Sequence, residues 1–338
     1  MAKKEERFTI AINGFGRIGK QFFLSCIEHN LPWDIIINEP GDLDFMVYSL
    51  KYDSVHHLST LEVLHDSKNL IVNGKKYKVL HETQVEQLPW KKESVDLVVD
   101  CSGLYTEREK ASLHIKVGAK KVLLSAPAKN NDITIIPGVN ENLIKKEHKI
   151  ISAGSCTTNC ISPMLKVLND AYKIKSAFFI TTHAYTATQK LIDSHDKKDL
   201  RRGRAAAQNI VPSTSGASQS VIESIPDLKG KLEGYALRVP VIDGSLVSII
   251  AQVEYNPNDL KQVNILFKKR ANEMKQIIQY TEDQIVSSDI IGNKNSCIFD
   301  SSLTFVNGNT VSIAGWYDNE IGYSNRLVDV AKLILKTK

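Results

Sequence analysis

No apolar run in the 338 residues is long enough to cross a bilayer. The short stretch Phe8–Ile12 behind Met1–Arg7 is too brief for a signal peptide, so a cytoplasmic protein without a membrane span is expected. Cysteine is scarce. Cys26, Cys101, Cys156, Cys160 and Cys297 are an odd number, and no second pair or histidine cluster gives them metal-ligand spacing. No metal site and no disulfide framework is therefore expected, and reduced thiols fit a cytosol. Charge of one sign is also lacking. A formal net charge of +5 spread among acids makes a weak electrostatic footprint, which argues against an obligatory nucleic-acid partner. The densest basic cluster, Lys197-Lys198 through Arg201-Arg202 and Arg204, is open to three readings: a nucleic-acid patch, a solvated loop or a site for a small anion. There is no internal repeat, low-complexity tract or long linker. What remains is an ordinary globular composition in a chain long enough for two cored domains.

The first half carries a dinucleotide pattern. The apolar Phe8–Ile12 reads as a buried strand running into Gly14-Phe15-Gly16-Arg17-Ile18-Gly19, followed by an amphipathic helix from about Arg17 to Glu28. A second strand, Asp34–Asn38, ends at the acidic Glu39, twenty residues beyond Gly19. In this pattern Gly14 permits a tight turn, Gly16 lets a pyrophosphate approach the helix N-terminus, and Gly19 allows helix to pack on strand. Glu39 is placed to accept from ribose hydroxyls and to repel a 2′-phosphate, which favours NAD over NADP. Further strands at Val95–Asp100 and Lys121–Ser125 alternate with helical stretches and predict a parallel, doubly wound sheet. Ser102-Gly103 and Ser125-Ala126, at strand carboxyl ends, are candidate cofactor contacts.

The second half carries candidate covalent chemistry. Ser155-Cys156-Thr157-Thr158-Asn159-Cys160 follows a strand-like Lys149–Ser152 and precedes the periodic Ile161–Leu168, so a helix is predicted to begin near Cys156. A thiol in the first turn sits at the positive end of the helix dipole, which favours the nucleophilic thiolate. The strand Ala177–Thr182 leads to His183, a candidate proton acceptor. Arg201, Arg202, Arg204 and Arg238, with the hydroxyl and glycine turn around Ser213–Gly216, suit phosphate recognition.

Together these segments resemble, in chain order, the phosphorylating glyceraldehyde-3-phosphate dehydrogenases. The cysteine sextet, Thr182-His183-Ala184-Tyr185-Thr186, Ala236–Pro240 and the terminal Trp316–Ser324 carry the resemblance, which spans essentially the whole chain. It implies an α/β protein: a Rossmann NAD-binding domain over 1–155, to which a C-terminal helix within 319–338 returns, and an α+β catalytic domain over 156–318 with a mostly antiparallel sheet. It implies a homotetramer. It further implies that Cys156 attacks the aldehyde with His183 as base, forming a hemithioacetal and then a thioester that inorganic phosphate cleaves. Matching positions for NAD are Gly14, Gly16, Arg17, Ile18, Glu39, Thr83, Ser125 and Asn319. Those for the substrate's phosphate are Thr186 and Arg238, those for the attacking phosphate Ser155, Thr157, Ser215 and Gly216, and Arg202 contributes to the same anionic region. Thr83 stands where many members have Arg, Glu39 where Asp is commoner, and Ser194-His195 where NAD-specific bacterial members have Leu-Pro. Two alternatives stay open: an erythrose-4-phosphate dehydrogenase, which hydrolyses the thioester, and a non-catalytic redox sensor or adhesin on the same fold.

Overall fold

The computed structural model describes residues 7–56, 60–197 and 199–337; the N-terminal Met1–Glu6 and Lys198 of the basic cluster lie outside the described residues. The chain divides into two units. The first comprises residues up to 135, 141–154 and those from 327 on; the second comprises 136–140 and 155–326.

In the first unit the apolar runs form strands because β-branched residues lie buried on both faces. The strands are β1 (Phe8–Asn13), β2 (Trp33–Asn38), β3 (Val63–His65), β4 (Asn69–Val72), β5 (Lys75–Leu80), β6 (Leu97–Asp100), β7 (Lys121–Leu124), β8 (Ile133–Thr134) and β9 (Ile150–Ser152). They form one sheet in the order β3-β4-β5-β2-β1-β6-β7-β9-β8. From β5 to β8 every pairing is parallel, as burial on both faces by crossover helices requires. The hairpins β3-β4 and β4-β5 extend one edge antiparallel. Helices α1 (Arg17–Glu28), α2 (Leu43–Lys51) and α3 (Arg108–Lys116) supply the connections. Trp90 and Ala111 join Ala11, Ile36, Val98 and Val122 in one buried cluster.

The main segment of the second unit opens with α4 (Cys156–Tyr172), which starts at the cysteine where the sequence predicts a helix to begin. Its sheet contains β10 (Ile174–Ala184), β11 (Val211–Thr214), β12 (Leu232–Val239), β13 (Ser245–Val253), β14 (Ile278–Thr281), β15 (Cys297–Asp300), β16 (Phe305–Asn307) and β17 (Thr310–Tyr317). The order is β11-β12-β10-β13-β17-β15-β14, with β16 also on β17. Only β10-β12 and β14-β15 are parallel, so the sheet is mostly antiparallel, as expected. Helices α5 (Ala217–Ser224) and α6 (Leu260–Glu273) belong to this unit, and α7 (Ile321–Lys336) starts in it and runs on into the residues from 327 that belong to the first.

Period-two alternation along β10 buries Phe179, Thr181 and His183 on one face and turns Phe178 outward. On β13 the same rhythm buries Val247, Ile249 and Ala251 and exposes Ile250. The buried face meets Ile161, Met164, Leu165 and Leu168 of α4. Each of these side chains contributes about 1.5–3 kcal/mol by leaving water. A Cβ at Gly315 would lie 2.8 Å from Met164 Sδ, so this glycine sets how closely α4 approaches β17. The alternation thereby aims Thr181 and His183 at the side of the sheet on which α4 begins.

Candidate active site

The first unit has a cavity of about 270 Å³ at the carboxyl ends of β1, β2 and β6. Gly14, Gly16, Glu39 and Thr83 line it. The three fingerprint glycines separate by physics. Gly14 has φ +90°, and a Cβ there would sit 2.9 Å from Ser102 backbone atoms. A Cβ on Gly19 would come within 2.0 Å of the Gly14 carbonyl oxygen. Gly16 differs: nothing lies within 4 Å of its Cβ position, so a side chain there would fill only the approach to the helix. No side chain caps α1 and no acid sits in its first turn. Its N–H donors are therefore matched to an anion, and the cavity residues fit a dinucleotide.

Glu39 has a further duty that its position in the sequence does not reveal. Its carboxylate accepts from Phe15 N at 2.7 Å and from Gly41 N at 3.1 Å. Each oxygen retains a second acceptor site, so sugar hydroxyls can still be bound. The Arg17 guanidinium is 2.5 Å from Asp53 Oδ2, Ile18 is half-buried in the first turn of α1, and Ser125 N donates to the Asp100 carbonyl. These three residues do not line the cavity. Asn13, Asn38, Glu82 and Tyr105 do, and the sequence reading missed them. The available signal was a polar residue closing each apolar strand.

The second constellation lies wholly in the second unit. Ser155 caps α4: its Oγ accepts from Thr158 N at 3.0 Å, and Ser155 N donates to Thr158 Oγ1 at 3.2 Å. The cap starts the helix so that Cys156 is its first residue, with Sγ 3.4 Å from His183 Nε2. His183 is 3% exposed, and its Nδ1 lies 2.7 Å from the Ala184 carbonyl oxygen. One guanidinium nitrogen of Arg238 is also 2.7 Å from Nδ1, and 3.2 Å from that carbonyl. Beneath the thiol, Tyr317 Oη meets Thr157 Oγ1 at 2.9 Å and Thr181 Oγ1 at 2.7 Å.

Electrostatics corrects one expectation. Burial is the largest influence on Cys156 and pushes its thiol above the ordinary 9.0, with Arg238 and hydrogen bonds from Thr157 opposing. The helix terminus does not by itself make a thiolate here. Burial, followed by the Arg238 charge, pulls His183 down from 6.5 to about 3, against the raising effect of Ala184. The pair is thus a neutral thiol facing a neutral imidazole. With its proton on Nδ1, donated to Ala184, the ring presents the Nε2 lone pair to the thiol. The Arg238 contact favours the opposite tautomer.

Arg238 and Arg202 each carry a buried Nε without a hydrogen-bond partner among the described residues. The Arg202 charge also reaches Arg238. Two half-buried, incompletely satisfied guanidinium groups of one sign call for an anion. Thr186 is held by Gln189, whose Oε1 accepts from its N at 2.8 Å and its Oγ1 at 3.0 Å. Ser215 Oγ accepts from Ala217 N, and Gly216 is the N-cap residue of α5. Asn319 Oδ1 accepts from Ser245 Oγ at 2.7 Å, and that hydroxyl accepts from Ala184 N. The structure therefore joins Cys156, Thr157, His183 and Arg238 by direct contact and links Arg202 to them by charge. Thr186 and Ser215 hydrogen-bond to near neighbours in sequence, Gly216 begins α5, and Asn319 pairs with Ser245 across the fold. Tyr317 and Thr181 were not singled out as site residues in the sequence, because only folding brings Tyr317 to Thr157.

Residues 8–108 match the family model described as glyceraldehyde 3-phosphate dehydrogenase, NAD binding domain, and residues 155–319 match that described as its C-terminal domain. The chain is 46% identical over 330 residues to a glyceraldehyde-3-phosphate dehydrogenase of Streptomyces coelicolor, covering 96% of this chain and 98% of that protein. It is 44% identical over 330 residues to glyceraldehyde-3-phosphate dehydrogenase 1 of Bacillus subtilis, with 97% and 98% covered. A relative of the same name from Claviceps purpurea is 42% identical, with 97% of each chain covered.

Proposed function

The chain belongs to the glyceraldehyde-3-phosphate dehydrogenase family, and from that premise we propose how its own residues carry the reaction. The activity is the NAD-dependent oxidation of glyceraldehyde 3-phosphate with phosphorylation to 1,3-bisphosphoglycerate, a glycolytic oxidoreduction. The observation that carries our reading is the 3.4 Å approach of Cys156 Sγ to His183 Nε2 beside the half-buried Arg238.

Cys156 adds to the aldehyde carbon while its proton passes to His183 Nε2, giving a hemithioacetal. Oxidation of that adduct, for which bound NAD is the hydride acceptor, leaves a thioester on Cys156. Inorganic phosphate then attacks the acyl carbon, and the thiolate departs. Arg238 and Thr186 bind the substrate's phosphate; Ser155, Thr157, Ser215 and Gly216 bind the attacking one, and Arg202 serves the same anionic region. An anion on Arg238 neutralises the charge that, after burial, holds His183 down, and draws the guanidinium from Nδ1. Substrate binding thereby raises the basicity of His183 at the step that needs it. The Cys156 N–H at the start of α4 and protonated His183 support the oxyanion.

Gly14, Gly16, Glu39 and Thr83 hold NAD, assisted by Arg17, Ile18 and Ser125, while Asn319 fixes the nicotinamide amide. We assign NAD binding to a domain over 1–155 with a returning C-terminal helix within 319–338, and catalysis to 156–318. We further propose a cytoplasmic homotetramer. Phe178, Tyr235 and Ile250, 41%, 36% and 50% exposed, supply an apolar outer sheet face, and Leu191, Ile192 and Leu200 an apolar loop. Among the described residues no helix is long and apolar enough to cross a membrane.

Intact-mass spectrometry with glyceraldehyde 3-phosphate and NAD, phosphate withheld, tests the chemistry. The wild-type chain should carry an acyl adduct that added phosphate removes, and C156S should carry none. An adduct that maps to another residue overturns the assignment.

A further inference from the structure

His114 lies on the far side of the dinucleotide cavity's floor, fully buried in the last turn of α3, and takes no part in the chemistry above. Trp90 Nε1 donates to its Nδ1 at 3.0 Å. An indole is only a donor, so Nδ1 must accept, and the neutral ring carries its proton on Nε2. That Nε2 stands 3.5 Å from Asp100 Oδ2, an electrostatic contact outside hydrogen-bond geometry, and it makes no other hydrogen bond among the described residues. Asp100 is 3% exposed and ends β6. Its Oδ2 accepts from Asn13 Nδ2 at 2.7 Å, and its Oδ1 from Ser102 Oγ at 3.0 Å.

The same row continues across the sheet. Asn13 Oδ1 accepts from Asn38 Nδ2 at 2.8 Å, and Asn38 makes a two-way amide pair with the Glu82 backbone, each bond at 3.0 Å. Strand register sets Asn38, Asn13 and Asp100 side by side at the ends of β2, β1 and β6. Asn13, Asn38, Glu82 and Ser102 all line the cavity; Asp100 and His114 stand behind them. A buried carboxylate turns toward whichever donors surround it. The Trp90-fixed imidazole sets its Nε2–H dipole against one side of the carboxylate, and this leaves the cavity side to Asn13 and Ser102.

We propose that His114 is a positioning residue for NAD, acting through Asp100 to hold Asn13, Asn38 and Ser102 in the geometry of the cavity floor. The proposal rests on the reading of this cavity as the NAD site. Without the Nε2–H dipole, Asp100 rotates, Asn13 loses its anchor, and the nucleotide meets a loosened floor.

Calorimetric titration of the purified, cofactor-free full chain with NAD decides it, using wild type, H114F, H114Q, D100N and G16V. H114F and D100N should each raise Kd about tenfold. H114Q, whose amide can accept from Trp90 and donate to Asp100, should stay within about threefold of wild type. G16V tests the cavity itself, by filling the approach to α1. If G16V abolishes NAD binding while folded H114F and D100N bind as wild type does, the positioning role is wrong and the site stands. If G16V also binds normally, the cavity reading fails. Should H114F fail to fold, D100N and H114Q still decide: equal affinity for D100N and wild type, or a tenfold loss in H114Q, overturns the proposal. A long-range ¹H–¹⁵N spectrum should show His114 as the Nε2–H tautomer, and the Nδ1–H form would contradict it.

Discussion

His183 offers a quantitative handle on the site, because the fold refuses it a proton that the unfolded chain accepts. Burial and Arg238 pull its folded pKa to about 3, against 6.5 when released. Between these values unfolding takes up a proton, so the stability tied to neutral His183 is fully present above 6.5. It is lost as pH falls through the window toward about 3. At about pH 4.5, two pH units below the released pKa, the loss relative to about pH 7.5 is roughly 3 kcal/mol, at about 1.4 kcal/mol per pH unit. Other groups titrate too, so the perturbation is H183N, which keeps polarity and approximate size but has no titrating ring. Urea unfolding of both chains at the two pH values, at fixed protein concentration, gives the double difference. Wild type should lose roughly 3 kcal/mol more than H183N over this interval. Equal losses would mean that His183 titrates normally, and the neutral thiol–imidazole pair would then be wrong.

Removing the cation in R238L should cost on the order of a hundredfold or more in kcat/KM, since a charged anchor for phosphate disappears. In the same variant the pH profile of Cys156 alkylation should move upward, because Arg238 is the leading influence lowering that thiol's pKa; a downward move would refute the assignment. Y317F leaves Thr157 and Thr181 without the phenol that joins them, so urea unfolding should show a loss of about 1–3 kcal/mol. Glycine variants should split by role: G16V keeps unfolding stability within about 0.5 kcal/mol of wild type. G19A forces a Cβ against the Gly14 carbonyl and loses several-fold more stability, read by the same unfolding assay.

The parts of the fold that local chemistry specifies were legible in the sequence. Phe8–Ile12, the glycine fingerprint and the acid at Glu39 announce β1, α1 and β2, because strand burial, turn geometry and helix period are written over consecutive residues. The start of α4 at Cys156 is also local, set by Ser155 and Thr158, three positions apart. What folding alone supplies is contact between distant positions. His183 reaches Cys156 because β10 exposes every second residue to the face where α4 begins, and Tyr317 reaches Thr157 from the end of β17. The direction of the Cys156 shift was misjudged for the same reason: a dipole can be read from a helix start, whereas burial depends on every neighbour. Glu39 and His114 show the same limit, since each acts through backbone or side chains far along the chain.

The central claim, that Cys156 with His183 oxidises glyceraldehyde 3-phosphate and passes the acyl group to phosphate, meets its most direct test in NADH absorbance. Wild type and C156A would be followed with glyceraldehyde 3-phosphate and NAD, with and without inorganic phosphate. Sustained NADH formation that requires both Cys156 and phosphate is the predicted result. Sustained turnover without phosphate, or any turnover by C156A above the uncatalysed rate, would contradict it.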